Sequence, residues 1–477
     1  MLRRGAGISV SAGGVGEKFM DVLDSCACSG GNLPRFVQPV LLALVAREPM
    51  HGYALVQKLE ETGLFGTRVP DVTGCYRMLR DMERNGVLEA VHDQGDGPAR
   101  RKYMVTGRGR RCLNRWISSL TSNRDHLDRV LALLCAARSE SEGVLCPAED
   151  KAFMDELHRR TMAGGLPSRQ DVLRLLSFAP DSVQTAYLGR LARETARVAA
   201  GNRAGVWAAF GVDLAPCSMN CSFCAFGASW GVVRERHEWT RGEIVEAARR
   251  YADEGASWIV LRTTEHYGEA RLEELARAVR AVLPPTCALV ANTGQMSTER
   301  IRRLGEAGVG VMYHALRLGE GRDTPFDPAG RRQALGRIRA AGMELAHLVE
   351  PLGPEHADEE IADVLLAALE AGARVCGVMA RSNVPGTPFG GGPSVSDARL
   401  AQVAAVVRLC GGVNTPYVCV HPPVSQAVAW GANVVVVETG AVPRAEKESD
   451  AEWRGFSMED AKRLLARHGY AVVGADG

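Results

Sequence analysis

From residue 206 onward, apolar runs of strand length alternate with amphipathic stretches of helix length, and this alternation limits the possible folds more than any other feature of the chain. The strand-like runs are 206–214, 257–264, 287–292, 310–316, 344–350, 374–381, 417–421 and 433–438. Helical spacing of apolar residues is read at 241–254, 270–282, 297–307, 328–341 and 396–409. Strands that are apolar throughout are covered on both faces, and a strand followed by a helix returns to its sheet in parallel. Repeated units of this kind predict an α/β fold of the TIM type, a closed or nearly closed (β/α) barrel. A doubly wound open sheet is the competing architecture.

In a parallel barrel, the loops beyond the carboxyl ends of the strands hold the chemistry. The first run leads into Cys217-Ser-Met-Asn-Cys221-Ser-Phe-Cys224, a C-x3-C-x2-C pattern. Three thiolates so spaced can bind three irons of a cubane cluster and leave the fourth iron open. An ordinary structural zinc or iron-sulfur site takes four protein ligands, and no fourth cysteine stands close in sequence. The competing readings are a zinc knuckle completed from far along the chain and three unrelated buried cysteines.

The cysteine pattern resembles the radical S-adenosylmethionine (SAM) superfamily. The strand ends resemble its biotin synthase, HydE-type maturase and HmdB-like branch, over roughly residues 155–470. This resemblance implies a 4Fe-4S cluster on Cys217, Cys221 and Cys224, with S-adenosyl-L-methionine chelating the open iron and cleaved reductively to a 5'-deoxyadenosyl radical. Phe223 matches the family's aromatic position. Thr263, Thr264 and Glu265 end the second strand where relatives bind the amino group of SAM, and Asn292 falls near the ribose contacts. Arg331, eleven residues before Gly342, matches the arginine that meets the SAM carboxylate, a task that suits a guanidinium fork. Gly386-Thr387-Pro388 matches a turn at the adenine end. His314, Arg317 and Glu320 after the fourth strand, and Glu350 after the fifth, are expected to face the substrate pocket.

Two departures from biotin synthase matter. Val260, Val290, Ala346 and Cys419 stand where that enzyme holds a second cluster, so biotin formation is not expected. Arg317 and Ala315 replace its substrate-holding aspartate and asparagine, which points to a different, anionic substrate.

Residues 34–120 read as a separate, mainly α winged helix-turn-helix: helices at Val37–Ala46, up to Glu61 and at Val72–Asn85, a charged turn at 93–98, a basic strand from Arg100 and a final helix from Gly107. The segments His51-Gly52-Tyr53, Gly74 to Glu89 and Arg101-Lys102-Tyr103 resemble the PadR family of regulators. That resemblance implies Arg77, Arg80 and Arg84 in a major groove, Arg100, Arg101 and Lys102 on phosphates, and a homodimer. Asp81 and Glu83 on the same helix depart from a purely basic face. Residues 1–33 read as a Gly/Ser-rich flexible leader in which Cys26 and Cys28 have no assigned role, 121–200 as a helical connector and barrel lead-in, and 201–477 as the barrel.

A formal net charge of only +1 means that nucleic-acid affinity has to come from a local patch. Thirteen cysteines in 477 residues, three of them clustered, suit a reducing compartment, and no uncharged apolar run approaches the length of a membrane span. A cytoplasmic enzyme is therefore expected, with no membrane partner. It takes an electron from a flavodoxin- or ferredoxin-like donor, cleaves SAM and abstracts hydrogen from a small-molecule substrate of the kind met in cofactor biosynthesis. The rival readings are a PadR-type transcriptional regulator whose barrel is a sensor, and a peptide-modifying maturase that docks its substrate on the winged helix.

Overall fold

The computed structural model describes residues 36–62, 71–93, 100–117, 146–440 and 456–472, with isolated positions between 119 and 130. The leader, with Cys26 and Cys28, lies outside the described residues. The chain divides into two compact units at Ala132/Leu133.

The first unit packs α1 (Val37–Arg47), α2 (Gly52–Glu61) and α3 (Val72–Arg84) against a sheet of β1 (Met50–His51), β2 (Leu88–Asp93) and β3 (Arg100–Val105); α4 follows at 107–117. The strands are antiparallel in the order β1-β3-β2, so β2 and β3 form the wing. Leu41, Leu42, Leu55, Leu59, Leu79 and Met82 make its core. Asp71 starts α3 by accepting from the Thr73 and Gly74 N–H groups, at 2.9 and 3.0 Å. Gly52 opens α2 against Tyr76 of α3, where an added Cβ would stand 2.6 Å from the ring.

The second unit begins with α5 (Ala148–Met162), α6 (Arg169–Leu176) and α7 (Val183–Ala199). A capping box fixes the start of α6: Ser168 accepts from the Asp171 N–H, and Asp171 accepts from that of Ser168. Then come β4 (Arg203–Gly211), β5 (Asp213–Leu214), β6 (His237–Glu238), α8 (Arg241–Asp253), β7 (Trp258–Arg262), α9 (Glu269–Arg280), β8 (Ala288–Asn292) and α10 (Thr298–Glu306). They are followed by β9 (Val311–Tyr313), α11 (Pro328–Ala340), β10 (Glu344–Ala346), β11 (Val349–Leu352), α12 (Asp358–Glu370) and β12 (Val375–Ala380). The unit ends with α13 (Asp397–Gly411), β13 (Tyr417–His421), α14 (Ser425–Ala429), β14 (Val434–Gly440), α15 (Met458–Arg467) and β15 (Ala471–Val472).

The order β10-β9-β8-β7-β4-β14-β13-β12-β11 is parallel throughout, and β10 also pairs with β12 through Ala346 and Val375. Strands β10 and β11 are two halves of one stave interrupted at His347-Leu348, so the sheet closes as an eight-stranded barrel. The last stave meets the first over seven pairs, from Val434 with Gly205 to Gly440 with Gly211. This closure rules out the open doubly wound sheet. Inside, Trp207, Trp258, Val260, Val290, Tyr313, Ala346, Cys419 and Val434 form an apolar floor. The Trp207 ring centroid lies 6.2 Å from that of Trp258 and 5.7 Å from that of Tyr313.

The run 206–214 divides into β4 and the short β5, and only Val311–Tyr313 of the run 310–316 is strand, because the chain turns away at His314. No helix was expected at α12, nor the edge pairing of β15 with β4.

Candidate active site

The carboxyl ends of the staves surround a cavity lined by Cys217, Cys221, Phe223 and Cys224 from the loop after β4 and β5. That loop is held by its own backbone: Cys217 N–H donates to Phe226 O at 2.6 Å, Ala228 N–H to Cys217 O at 2.9 Å and Cys224 N–H to Cys221 O at 2.9 Å. The Trp230 indole donates to Cys221 O at 3.1 Å. Asn220 takes a left-handed conformation, φ 47°, and its amide bonds Ser218 O and the Ser229 N–H across the turn. Leu214, Ala225, Phe226, Val233 and Val384 pack beneath the loop and fix its depth.

Among the described residues, no three His, Cys, Asp or Glu side chains are grouped so as to hold a single metal ion. Burial pushes the Cys221 thiol up to about 12, against the pull of the Arg317 charge, and burial likewise raises Cys224. A free thiolate is therefore costly there, whereas one bound to iron is neutralised by its ligand.

Thr263, Thr264, Glu265 and Asn292 line the same cavity from the ends of β7 and β8. The Thr263 hydroxyl donates to that of Thr293 at 2.9 Å, and Glu265 accepts from the Gln295 N–H at 3.3 Å. Gly294 runs so close to Glu265 that an added Cβ would stand 2.4 Å from its carbonyl oxygen. Thr264 is already engaged: its N–H and hydroxyl donate to Asp213, at 2.8 and 2.5 Å. Asp213, a cavity residue that the sequence did not mark, is raised by burial against those two bonds.

Arg317 and Glu350 also line the cavity, 4.0 Å apart, and Tyr313 donates a short hydrogen bond to Glu350. His314, Glu320 and Arg331 were expected to face it, but they form a buried cluster that does not line it. Glu320 is used within its own loop, accepting from the Arg317 N–H at 2.9 Å and the Thr324 hydroxyl at 2.6 Å, and it lies 3.5 Å from Arg331. Arg331 Nη1 is 3.2 Å from His314 Nε2, and its guanidinium stacks 3.7 Å from the ring of Phe326, which does line the cavity. Burial and the neighbouring arginines hold His314 well below the usual histidine range.

Sequence reading missed a further charged group. Arg262 at the end of β7 reaches past Gly211 and Ala209 of β4 to Glu438 of β14, with Nη1 2.7 Å from Oε1. His421 of β13 stands 3.5 Å from the other carboxylate oxygen. These residues are 176 positions apart at the widest, so no local pattern announces them.

In the winged unit, Arg77, Arg80 and Arg84 are exposed on α3. Arg84 pairs with Asp81, and Arg101 of β3 pairs with Glu83 at 3.2 Å, so the two acidic residues offset part of the basic face. Lys102 is half-buried beside Arg101; the side chain of Arg100 lies outside the described residues.

Residues 41–115 match the PadR-like family of transcriptional regulators. The chain is 26% identical over 216 residues to biotin synthase of Methylococcus capsulatus, a match spanning 44% of this chain and 66% of that relative, just under two thirds of its length. The fold is similar to that of the FeFe-hydrogenase maturase HydG, with a TM-score of 0.57, 15% identity, and coverage of 71% of this chain and 79% of that one. It is also similar to methylornithine synthase, with a TM-score of 0.57, 18% identity, and coverage of 67% and 98%. The barrel thus shares its fold with these enzymes, and its cysteine loop stands at the carboxyl end of the staves. The chain joins that barrel to an amino-terminal PadR-like domain.

Proposed function

We propose that the chain is a radical SAM enzyme acting on a small molecule held in the barrel. The observation that carries this reading is the lining of one cavity, at the carboxyl end of a closed parallel barrel, by Cys217, Cys221 and Cys224 together with Glu265 and Asn292. Cys217, Cys221 and Cys224 would hold a 4Fe-4S cluster, which would supply one electron for the reductive cleavage of S-adenosylmethionine and so the radical chemistry at the substrate. The chain's own residues bind and shield. Glu265, at the end of the Thr263-Thr264-Glu265 segment, accepts from the ammonium group of the methionine portion, Asn292 bonds the ribose, and Phe223 packs beside the loop. Arg331, whose buried Nη2 has no hydrogen-bond partner among the described residues, stands behind Phe326 rather than on the cavity wall, so the carboxylate contact that the resemblance assigns to it requires that ring to move aside. Trp207 and Tyr313 close the floor against water, which a primary carbon radical demands.

The same floor argues against biotin formation. At the positions where biotin synthase keeps a second cluster, this barrel has Val260, Val290 and Ala346 packed with Cys419, a single sulfur among buried apolar groups. We infer further that a flavodoxin- or ferredoxin-like protein supplies the electron and that the chain works as a homodimer. Anaerobic reconstitution followed by dithionite is expected to release 5'-deoxyadenosine, and Cys221→Ala to lower that release at least a hundredfold. Undiminished product from the variant refutes the assignment.

A second reading is favoured by the PadR match and the exposed Arg77 and Arg80: the amino-terminal unit binds DNA, and the barrel's state tunes that binding. Gel shifts on the gene's own upstream DNA are expected to weaken at least tenfold in Arg77→Ala/Arg80→Ala, and wild-type binding to weaken with salt. Binding that ignores both changes removes this reading. No described helix is long and apolar enough to cross a membrane.

A further inference from the structure

The mechanism above makes no use of the Arg262–Glu438–His421 group, although all three residues line the cavity. Glu438 and His421 side chains are only 3% and 2% exposed, and Arg262 18%. The group sits on β7, β14 and β13, across the barrel from Tyr313 and Glu350 on β9 and β11. It is held in place by its backbone: β4 pairs with β14 on one side and β7 on the other, and its Gly211 and Ala209 leave room for the arginine to cross.

An ion pair on a cavity wall selects ligands by charge. A ligand bearing only a carboxylate that takes the edge of Arg262 now bonded to Glu438 leaves that buried carboxylate with only His421 beside it. A ligand bearing only an ammonium group displaces Arg262 from Glu438 in the same way. Breaking one half of a buried pair is strongly unfavourable. A ligand carrying both signs on adjacent carbons or on one carbon exchanges partners instead: its carboxylate takes the guanidinium, its ammonium takes the Glu438 carboxylate, and no charge is left alone. The second pair, Glu350 with Arg317, imposes the same condition on the opposite wall.

We propose that Arg262 and Glu438 form the recognition site for a zwitterionic substrate, a free α-amino acid or close analogue. This rests on the reading of the cavity as the reaction chamber, and it replaces the anionic substrate suggested by Arg317 alone, because Arg317 is already matched by Glu350.

The test uses the full chain, reconstituted without oxygen and supplied with SAM. The probes are a fully deuterated mixture of the proteinogenic amino acids, fully deuterated hexanoate and fully deuterated hexylamine. Two readouts are taken: deuterium carried from a substrate C–D bond to the 5' carbon of 5'-deoxyadenosine, and the shift of the thermal unfolding midpoint on adding each probe. The amino acids are expected to give both, and the two singly charged probes at least tenfold less transfer and no shift. Arg262→Leu/Glu438→Leu, which removes both charges and strands neither, is expected to lose the amino-acid response in both readouts. Equal transfer from hexanoate or hexylamine, an unaltered response in the double variant, or no response of the wild type to any amino acid each overturns the proposal. Release of 5'-deoxyadenosine without probe is scored separately, so loss of cleavage itself counts against the radical SAM reading and not against the substrate class.

Discussion

At the scale of single residues, the barrel shows how burial decides which groups can be charged. His347, at the break between β10 and β11, is fully buried and accepts the Leu316 N–H on Nε2 at 3.0 Å. Burial holds it down to about 4. A histidine whose folded value lies below its unfolded value near 6.5 favours folding above that value and loses the contribution as pH falls toward the folded one. Between about pH 6.5 and 4, wild type is expected to lose about 3 kcal/mol through this residue. His347→Gln, which keeps an acceptor for Leu316, is expected to flatten that part of the urea-unfolding profile; an identical slope in both proteins contradicts it. The three cysteines and Glu265 were legible because their spacing and strand-end position carry the signal within a few residues. Arg262 and Glu438 were not, since their partnership depends on β14 lying beside β4. His314 and Glu320 were placed in the pocket by chain position alone. Their side chains turn instead into the loop that follows β9, where Arg331 and Thr324 absorb them.

At the scale of elements, periodicity located every barrel stave, because strands buried on both faces read as continuous apolar runs. Helix α12 escaped for a related reason. Its buried set, Ile361, Ala362, Val364, Leu365, Ala367, Ala368 and Leu369, covers most of the helix circumference, so the contrast between faces that reveals an amphipathic helix is weak. In the winged unit the packing of α2 on α3 depends on Gly52, and Gly52→Val forces Tyr76 out of place. The substitution is expected to destabilise that unit by about 1–3 kcal/mol, and Tyr76→Ala to recover part of the loss. Calorimetry on the full chain checks this, since each unit has its own core: the transition of the winged unit should move and that of the barrel stay. Movement of both transitions together overturns the expectation.

At the scale of the molecule, two cores with separate hydrophobic clusters explain why the sequence reads as two independent patterns, one mainly α with a wing and one strictly alternating. What the alternation could not reveal was closure. A run of strand-helix units is compatible with an open sheet until the final stave finds the first, and that pairing links positions more than two hundred residues apart. The consequence concerns the order of events during synthesis. The thiols leave the ribosome with the first stave, long before Val434–Gly440 exists to seal the seam beside it. Until then the chamber has a gap along its whole height and Arg262 lacks its counter-charge. Enclosure of the cavity on that side therefore waits on the last stave, Val434–Gly440.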